Sequence, residues 1–177
     1  RYAETRGVWL ELGLQSANNE VLKTINRGHT CEAFVKAVEL CSRYPVKLCV
    51  HVIIGLPGDT RITSRETASL LSSLPCHGLK LHALQIVENT PLAGQYLSGA
   101  FQPIGEAEYV VRAADFLERT PSGVAIQRLA SDALGAMLIA PKWTEKKQRL
   151  LNAINHELEA RNTRQGSLAA PSPPHSC

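Results

Sequence analysis

Little in this chain points to a metal framework, a membrane or a polyanion. Its 177 residues include five cysteines, Cys31, Cys41, Cys49, Cys76 and Cys177, and no two of them form a C-x-x-C pair. The odd count and the long gaps argue against zinc ribbons and disulfide frameworks. Buried free thiols in a reducing cytoplasm are the expectation. No run of eighteen apolar residues occurs, so no helical membrane span is expected, and no signal peptide is visible. The net charge of +3 is too small to argue for nucleic acid by itself. Methionine occurs once, at Met137, and the chain starts at Arg1 with strand pattern almost at once. A piece of a longer protein is therefore expected.

Apolar residues are plentiful, at 44%, which suits one domain with a real core. Their pattern alternates. In residues 8–15, Val8, Leu10, Leu12 and Leu14 make one row, and Trp9, Glu11, Gly13 and Gln15 make the other. Side chains alternate along a strand, so one face suits a helix layer and the other a polar interior. Residues 47–55 repeat this, with Leu48, Val50, Val52 and Ile54 against Lys47, Cys49, His51 and Ile53, and end in Gly55-Leu56-Pro57-Gly58. In residues 79–86, Leu79, Leu81 and Ala83 alternate with Lys80, His82 and Leu84. Polar groups aimed inward at the carboxyl ends of parallel strands are where barrel enzymes place their chemistry.

Helical patterns separate these strands. Residues 18–25 read as a short helix, and Thr30 caps a longer one reaching about residue 43, with Phe34, Val35, Val38 and Cys41 on its buried side. Thr63 and Glu66 have capping-box spacing before Ala68, Leu70, Leu71 and Leu74, and Pro75 ends that helix. Residues 91–97 and 106–118 read as further helices, and 124–129 as a short strand. Thr144 is expected to start a last amphipathic helix carrying Leu150, Leu151, Ile154 and Leu158. From Gln165 to Cys177 the composition turns to Gly, Ser, Ala and Pro, and a disordered tail is expected. Strands alternating with helices signal βαβ units and a parallel sheet.

The runs ELGLQSANNEVLKTINRGHT, HVIIGLPGDT and GLKLHALQIVENTPLA, followed by LIAPKWTEKK and ELEARNTRQGS, resemble radical S-adenosylmethionine (radical SAM) enzymes. The closest resemblance is to the YhcC-like group, related to the Elongator catalytic subunit and the oxygen-independent coproporphyrinogen oxidases. It implies an α/β fold, a partial TIM-type (βα)6 barrel. This chain would be its last three βα units plus C-terminal helices, with 1–100 in the half-barrel and 101–164 a helical extension. The resemblance also implies S-adenosylmethionine and a [4Fe–4S] cluster, a reductant such as flavodoxin or ferredoxin, and RNA among the candidate substrates. The implied activity is reductive cleavage of S-adenosylmethionine to a 5′-deoxyadenosyl radical that abstracts hydrogen from a substrate the sequence does not name. The cluster-binding C-x-x-x-C-x-x-C motif and the glycine-rich second-strand motif are absent from this chain. In the coproporphyrinogen oxidase relatives a Gln at the fourth strand end and an Arg twelve residues later contact S-adenosylmethionine. Gln15 and Arg27 stand at that spacing. An Asp four residues before G-L-P contacts it as well, and here that position holds His51. The backbone around Gly55 and Gln85 would lie against adenine.

Several residues keep two readings. Glu11 faces inward with Lys47 and Lys80 on neighbouring strands, as a structural ion pair or as a group facing substrate. His82 is a substrate contact or a satisfied core histidine. Arg27 also suits a helix end. His29, His51 and His82 come from separate segments without ligand spacing, so no metal site is expected from them. Lys142, Lys146, Lys147 and Arg149 make a solvated helix face or an RNA contact. Two other functional classes stay open: a non-catalytic partial barrel that lacks the cluster motif, and another TIM-type barrel enzyme such as a lyase.

Overall fold

The alternating rows form strands and the helical patterns form their connections, in a computed structural model that describes residues 3–131 and 135–169. β1 (Trp9–Gln15) leads into α1 (Asn19–Thr24) and α2 (Cys31–Cys41), and β2 (Lys47–Ile54) into α3 (Arg61–Ser72). β3 (Gly78–Ala83) follows, then a short β4 (Ile86–Val87), α4 (Pro91–Leu97) and α5 (Glu106–Arg119). β5 (Ala125–Arg128), β6 (Leu138–Ala140) and α6 (Lys147–Ala160) complete the order. β1, β2, β3 and β5 form an open, wholly parallel sheet in that order, and β4 and β6 form a separate antiparallel pair.

The two faces of the sheet divide as the alternation requires. Leu14, Leu48, Val50, Val52, Ile54, Leu79, Leu81 and Ala83 are buried against Phe34, Val38, Ala68, Leu71, Phe116, Leu117, Leu150 and Ile154 from the helices. Each large side chain so covered contributes on the order of 1.5–3 kcal/mol. This core runs from β1 to α6, and Ile86, Ala93 and Ala140 form a second, smaller cluster with Leu92, Tyr96 and Phe101. The opposite face carries Glu11, His51 and Lys80. Among the described residues no helix is long and apolar enough to cross a membrane.

The structure moves several expected boundaries. The third strand stops at Ala83, because the chain turns and residues 86–87 pair antiparallel with β6. Apolar Leu84 and Ile86 fall in the row of Lys80 and His82, so the alternation changes phase after Ala83, where the strand ends. Thr60, not Thr63, caps α3. Its hydroxyl accepts from Thr63 N, while Thr60 N donates to Thr63 Oγ1, so Thr63 takes the place expected of Glu66. The last helix begins at Lys147 instead of Thr144, after a 3-10 turn over residues 142–145. Gln165 Nε2 donates to the carbonyls of Pro121 and Val124 at 2.8 Å, and Gly166 N donates to Leu117 O at 3.1 Å. Residues 165–169 therefore pack on the α5–β5 connection and do not belong to a disordered tail, while 170–177 lie outside the described residues.

A buried carboxylate ties three helices together. Asp115 of α5, only 1% exposed, accepts from Arg61 Nε at 2.5 Å and Arg65 Nε at 2.9 Å of α3, and from Arg161 Nη1 at 2.8 Å at the end of α6. Burial pushes its carboxyl up, but the hydrogen bonds from Arg61, Arg65 and Arg161 outweigh this and hold it well below the usual range. Its folded-state pKa lies below its unfolded value, so its stabilisation is complete above the unfolded carboxyl pKa and is lost as pH falls towards the folded one. Asp115→Asn should cost about 3 kcal/mol at neutral pH, the low end for a broken buried pair, because the arginines keep access to water. Urea titrations should show that loss at pH 7 and little difference from wild type in strong acid; an equal loss at both would contradict the assignment.

Candidate active site at the carboxyl ends of the strands

The inward face builds its polar set from strand register. Gly13, His51 and Lys80 stand side by side on β1, β2 and β3, with Glu11 one level below. Glu11 leans along its strand and meets both neighbours. Its Oε1 accepts from Lys80 Nζ at 2.6 Å, and its Oε2 lies 2.7 Å from His51 Nε2. These hydrogen bonds, Lys80 first and His51 second, hold the Glu11 carboxyl below its ordinary value. The His51 ring stacks on His82 with centroids 5.4 Å apart and planes 17° from parallel. Lys47, expected beside Glu11, instead sits over the Trp9 ring at 5.5 Å.

Above this level the ladder of β1 breaks. A bulge between Gly13 and Gln15 shifts the register, and Gln15 adopts φ 70°. Bulges re-aim side chains, and a left-handed non-glycine residue is held only where its surroundings enforce it. Here the enforcement comes from the segment after α1. Asn26 (φ 52°) and Gly28 (φ 77°) reverse the chain, and Arg27 Nη2 and His29 Nε2 reach the Gly13 carbonyl at 2.9 and 3.1 Å. Gly13 lacks a side chain for a reason. A Cβ there would collide with Gln15 Nε2 and lie 2.7 Å from Arg27 Nη2.

The result is a cavity of about 490 Å³ lined by Gln15, His51, Ile53, His82, Gln85 and Arg128, among others. Gln15 Oε1 is buried and has no hydrogen-bond partner among the described residues. A buried acceptor left open is costly unless something fills it. Gln85 Nε2 is held by Thr144 Oγ1 at 3.1 Å. Thus Gln15, His51, His82 and Gln85 share the cavity, Glu11 and Lys80 support it through His51, and Arg27 approaches it through Gly13. Gly55 does not line it. Its φ of 90° and a Cβ position 3.0 Å from Ile104 Cδ1 place it under Ile104.

Sequence reasoning missed two supports. His29 anchors the bulge through the Gly13 carbonyl; among the described residues no group of three or more His, Cys, Asp or Glu is placed to hold a metal ion. Asp59 holds the turn after β2, accepting from Gly55 N at 3.0 Å, from Arg112 Nη1 at 3.2 Å and from the Thr63 hydroxyl. Its signal in the sequence is an acid directly after Gly-Leu-Pro-Gly, at a turn whose backbone donors need an acceptor.

Two family models between them match most of this chain. Residues 1–71 match the family model of the radical SAM superfamily, and residues 76–160 match that of the radical SAM C-terminal domain. The junction falls between α3 and β3. Protein MJ0486 of Methanocaldococcus jannaschii is 34% identical over 161 residues, covering 90% of this chain and 50% of that protein. YhcC of Escherichia coli is 30% identical over 164 residues, covering 93% and 53%. A tRNA uridine(34) acetyltransferase of Methanocaldococcus infernus is 27% identical over 154 residues, covering 78% and 28%. The solved structure of Methanocaldococcus infernus Elp3 with an N-terminal deletion superposes with a TM-score of 0.76 at 21% identity, over 92% of this chain and 38% of that one, a likeness of fold. The chain spans about half the length of curated relatives that it matches, MJ0486 and YhcC among them.

The crowding at Gly13 gives a direct check. Gly13→Ala should displace the Gln15 amide and the Arg27 guanidinium and cost about 1–3 kcal/mol of stability, as overpacking does. Gly123→Ala, whose methyl would meet nothing within 4 Å, is the neutral comparison. Denaturant melts in which the two variants match would show that the site tolerates a side chain at residue 13.

Proposed function

Because the chain belongs to the radical SAM superfamily, we propose that its carboxyl-end cavity holds S-adenosylmethionine and that the intact protein uses it to abstract hydrogen from a substrate. The observation that carries this reading is the open Gln15 Oε1, buried in a cavity at the strand ends. S-adenosylmethionine has ammonium and hydroxyl donors that suit such an acceptor. Arg27 spends one N–H on Gly13 O, and the rest of its planar fork suits a carboxylate such as that of the methionyl end. His51 occupies the place where relatives carry an acid, and its ring keeps hydrogen-bonding capacity towards the cavity. The bulge at Gly13, whose carbonyl takes Arg27 and His29, orients Gln15 and Arg27.

When bound, S-adenosylmethionine supplies one-electron hydrogen-abstraction chemistry, while the protein binds, orients and excludes water. The described residues fit that molecule but not the cluster. Cys31 and Cys41 stand at opposite ends of α2, Cys49 on β2 and Cys76 before β3, and among the described residues none joins a group able to hold a metal ion. The cluster and its reductant, a flavodoxin or ferredoxin, therefore enter this reading through the intact protein alone.

A second observation favours RNA as the substrate class. Thr144, which holds Gln85 at the cavity, lies in a turn that carries exposed Lys142 and is followed by exposed Lys146 and Arg149, and two relatives are named tRNA uridine(34) acetyltransferases. Basic groups beside a cavity suit a phosphate backbone.

Calorimetric titration of the intact protein tests both points. Gln15→Ala and Arg27→Ala should each weaken S-adenosylmethionine binding about tenfold or more, the cost of a lost contact worth roughly 1.5–3 kcal/mol. Affinity for tRNA should fall as salt rises and stay unchanged in both variants. Unaltered S-adenosylmethionine affinity in both would remove the basis for this site.

A further inference from the structure

Glu11 is committed on both oxygens, to Lys80 Nζ at 2.6 Å and to His51 Nε2 at 2.7 Å. An ammonium only donates, and an ionised carboxylate only accepts. Lys80 and His51 together keep the Glu11 carboxyl acidic, so Glu11 has no proton to offer. The hydrogen in the contact with His51 therefore belongs to the imidazole. We propose that Glu11 is a positioning residue that fixes His51 as its Nε2–H tautomer and so leaves Nδ1 as an acceptor for the ligand of the cavity.

Three features support this. The stacking of His51 on His82 fixes the ring plane. His51 lines the cavity, and its Nδ1 has no hydrogen-bond partner among the described residues. Gln15 Oε1 makes the same demand from the neighbouring strand. A neutral ring carries one proton, so taking it at Nε2 obliges Nδ1 to accept. The cavity then selects a ligand that donates at two points, through hydroxyl or ammonium hydrogens, over one that presents bare acceptors. The inference rests on the reading above only for which ligand that is. Lys80 takes part as the second anchor: by donating to Glu11 Oε1 it leaves Oε2 for the ring.

Glu11→Gln tests the idea because it keeps the shape and changes the donors. Lys80 still only donates, so the amide oxygen must face Lys80, and the amide NH2 must face His51 Nε2. That nitrogen then has to accept, and the single ring proton moves to Nδ1. Imidazole 15N shifts of the intact protein, histidine-labelled and at alkaline pH, read the tautomer directly. The expected result is Nε2–H in wild type, Nδ1–H in Glu11→Gln, and Nε2–H again in Lys80→Met, where the carboxylate remains. Nδ1–H in the wild-type protein, or Nε2–H persisting in Glu11→Gln, would overturn the proposal. If the tautomers behave as expected and S-adenosylmethionine does not bind, the reading of the cavity fails while the role of Glu11 stands.

Discussion

The inward face of the sheet depends on one carboxylate. Glu11 joins β1 to β2 and β3 by accepting from His51 and Lys80 at once. That arrangement exists only in the observed register, with Gly13 opposite His51 and His51 opposite Lys80. A slip of one residue would turn each strand's polar row towards the helices and its apolar row outward. The apolar rows buried under α2, α3, α5 and α6 set the register, and the carboxylate uses it. Glu11 is half exposed, with its side chain at 48% accessibility. Its worth lies less in stability than in holding the ring and the ammonium in place.

Above that level the architecture serves position at the cost of regularity. The bulge at Gly13, the left-handed Gln15 and the reversal through Asn26 and Gly28 depart from ideal strand and helix. They converge on one carbonyl, which takes Arg27 and His29. The turn after β2 is organised in the same way by Asp59, a buried acceptor shared among backbone, hydroxyl and guanidinium donors. Each departure brings a polar group to the carboxyl end of a parallel strand, where ligands of such sheets bind. The buried Asp115 cluster lies on α5, in the helix layer that covers the apolar face. It braces that layer while the strand ends carry the chemistry.

Much of this was legible in the chain. Alternation alone placed Glu11, His51, Lys80 and His82 on one face, because a strand permits no other parity. Helix α4 runs from Pro91 to Leu97 as its pattern indicates, since proline at the first turn and an apolar stripe leave little choice. Other features were hidden for physical reasons. Thr60 and Thr63 share a hydroxyl chemistry that makes the cap ambiguous from spacing. The end of β3 is set by pairing with residues more than fifty positions away, which local pattern does not carry. The roles of His29 and Arg27 at Gly13 depend on a chain reversal that brings them back over β1, and the displacement of Gly55 from the cavity depends on Ile104, far along the chain.

The central claim is that a ligand, S-adenosylmethionine, closes over the irregular strand ends organised from Glu11 upward. Amide hydrogen exchange of the intact protein with and without S-adenosylmethionine tests it most directly. The account predicts slower exchange in residues 13–15, 51–53 and 82–87, the segments at the cavity. Unchanged exchange in those three segments, or protection found only on α5 and α6, would contradict it.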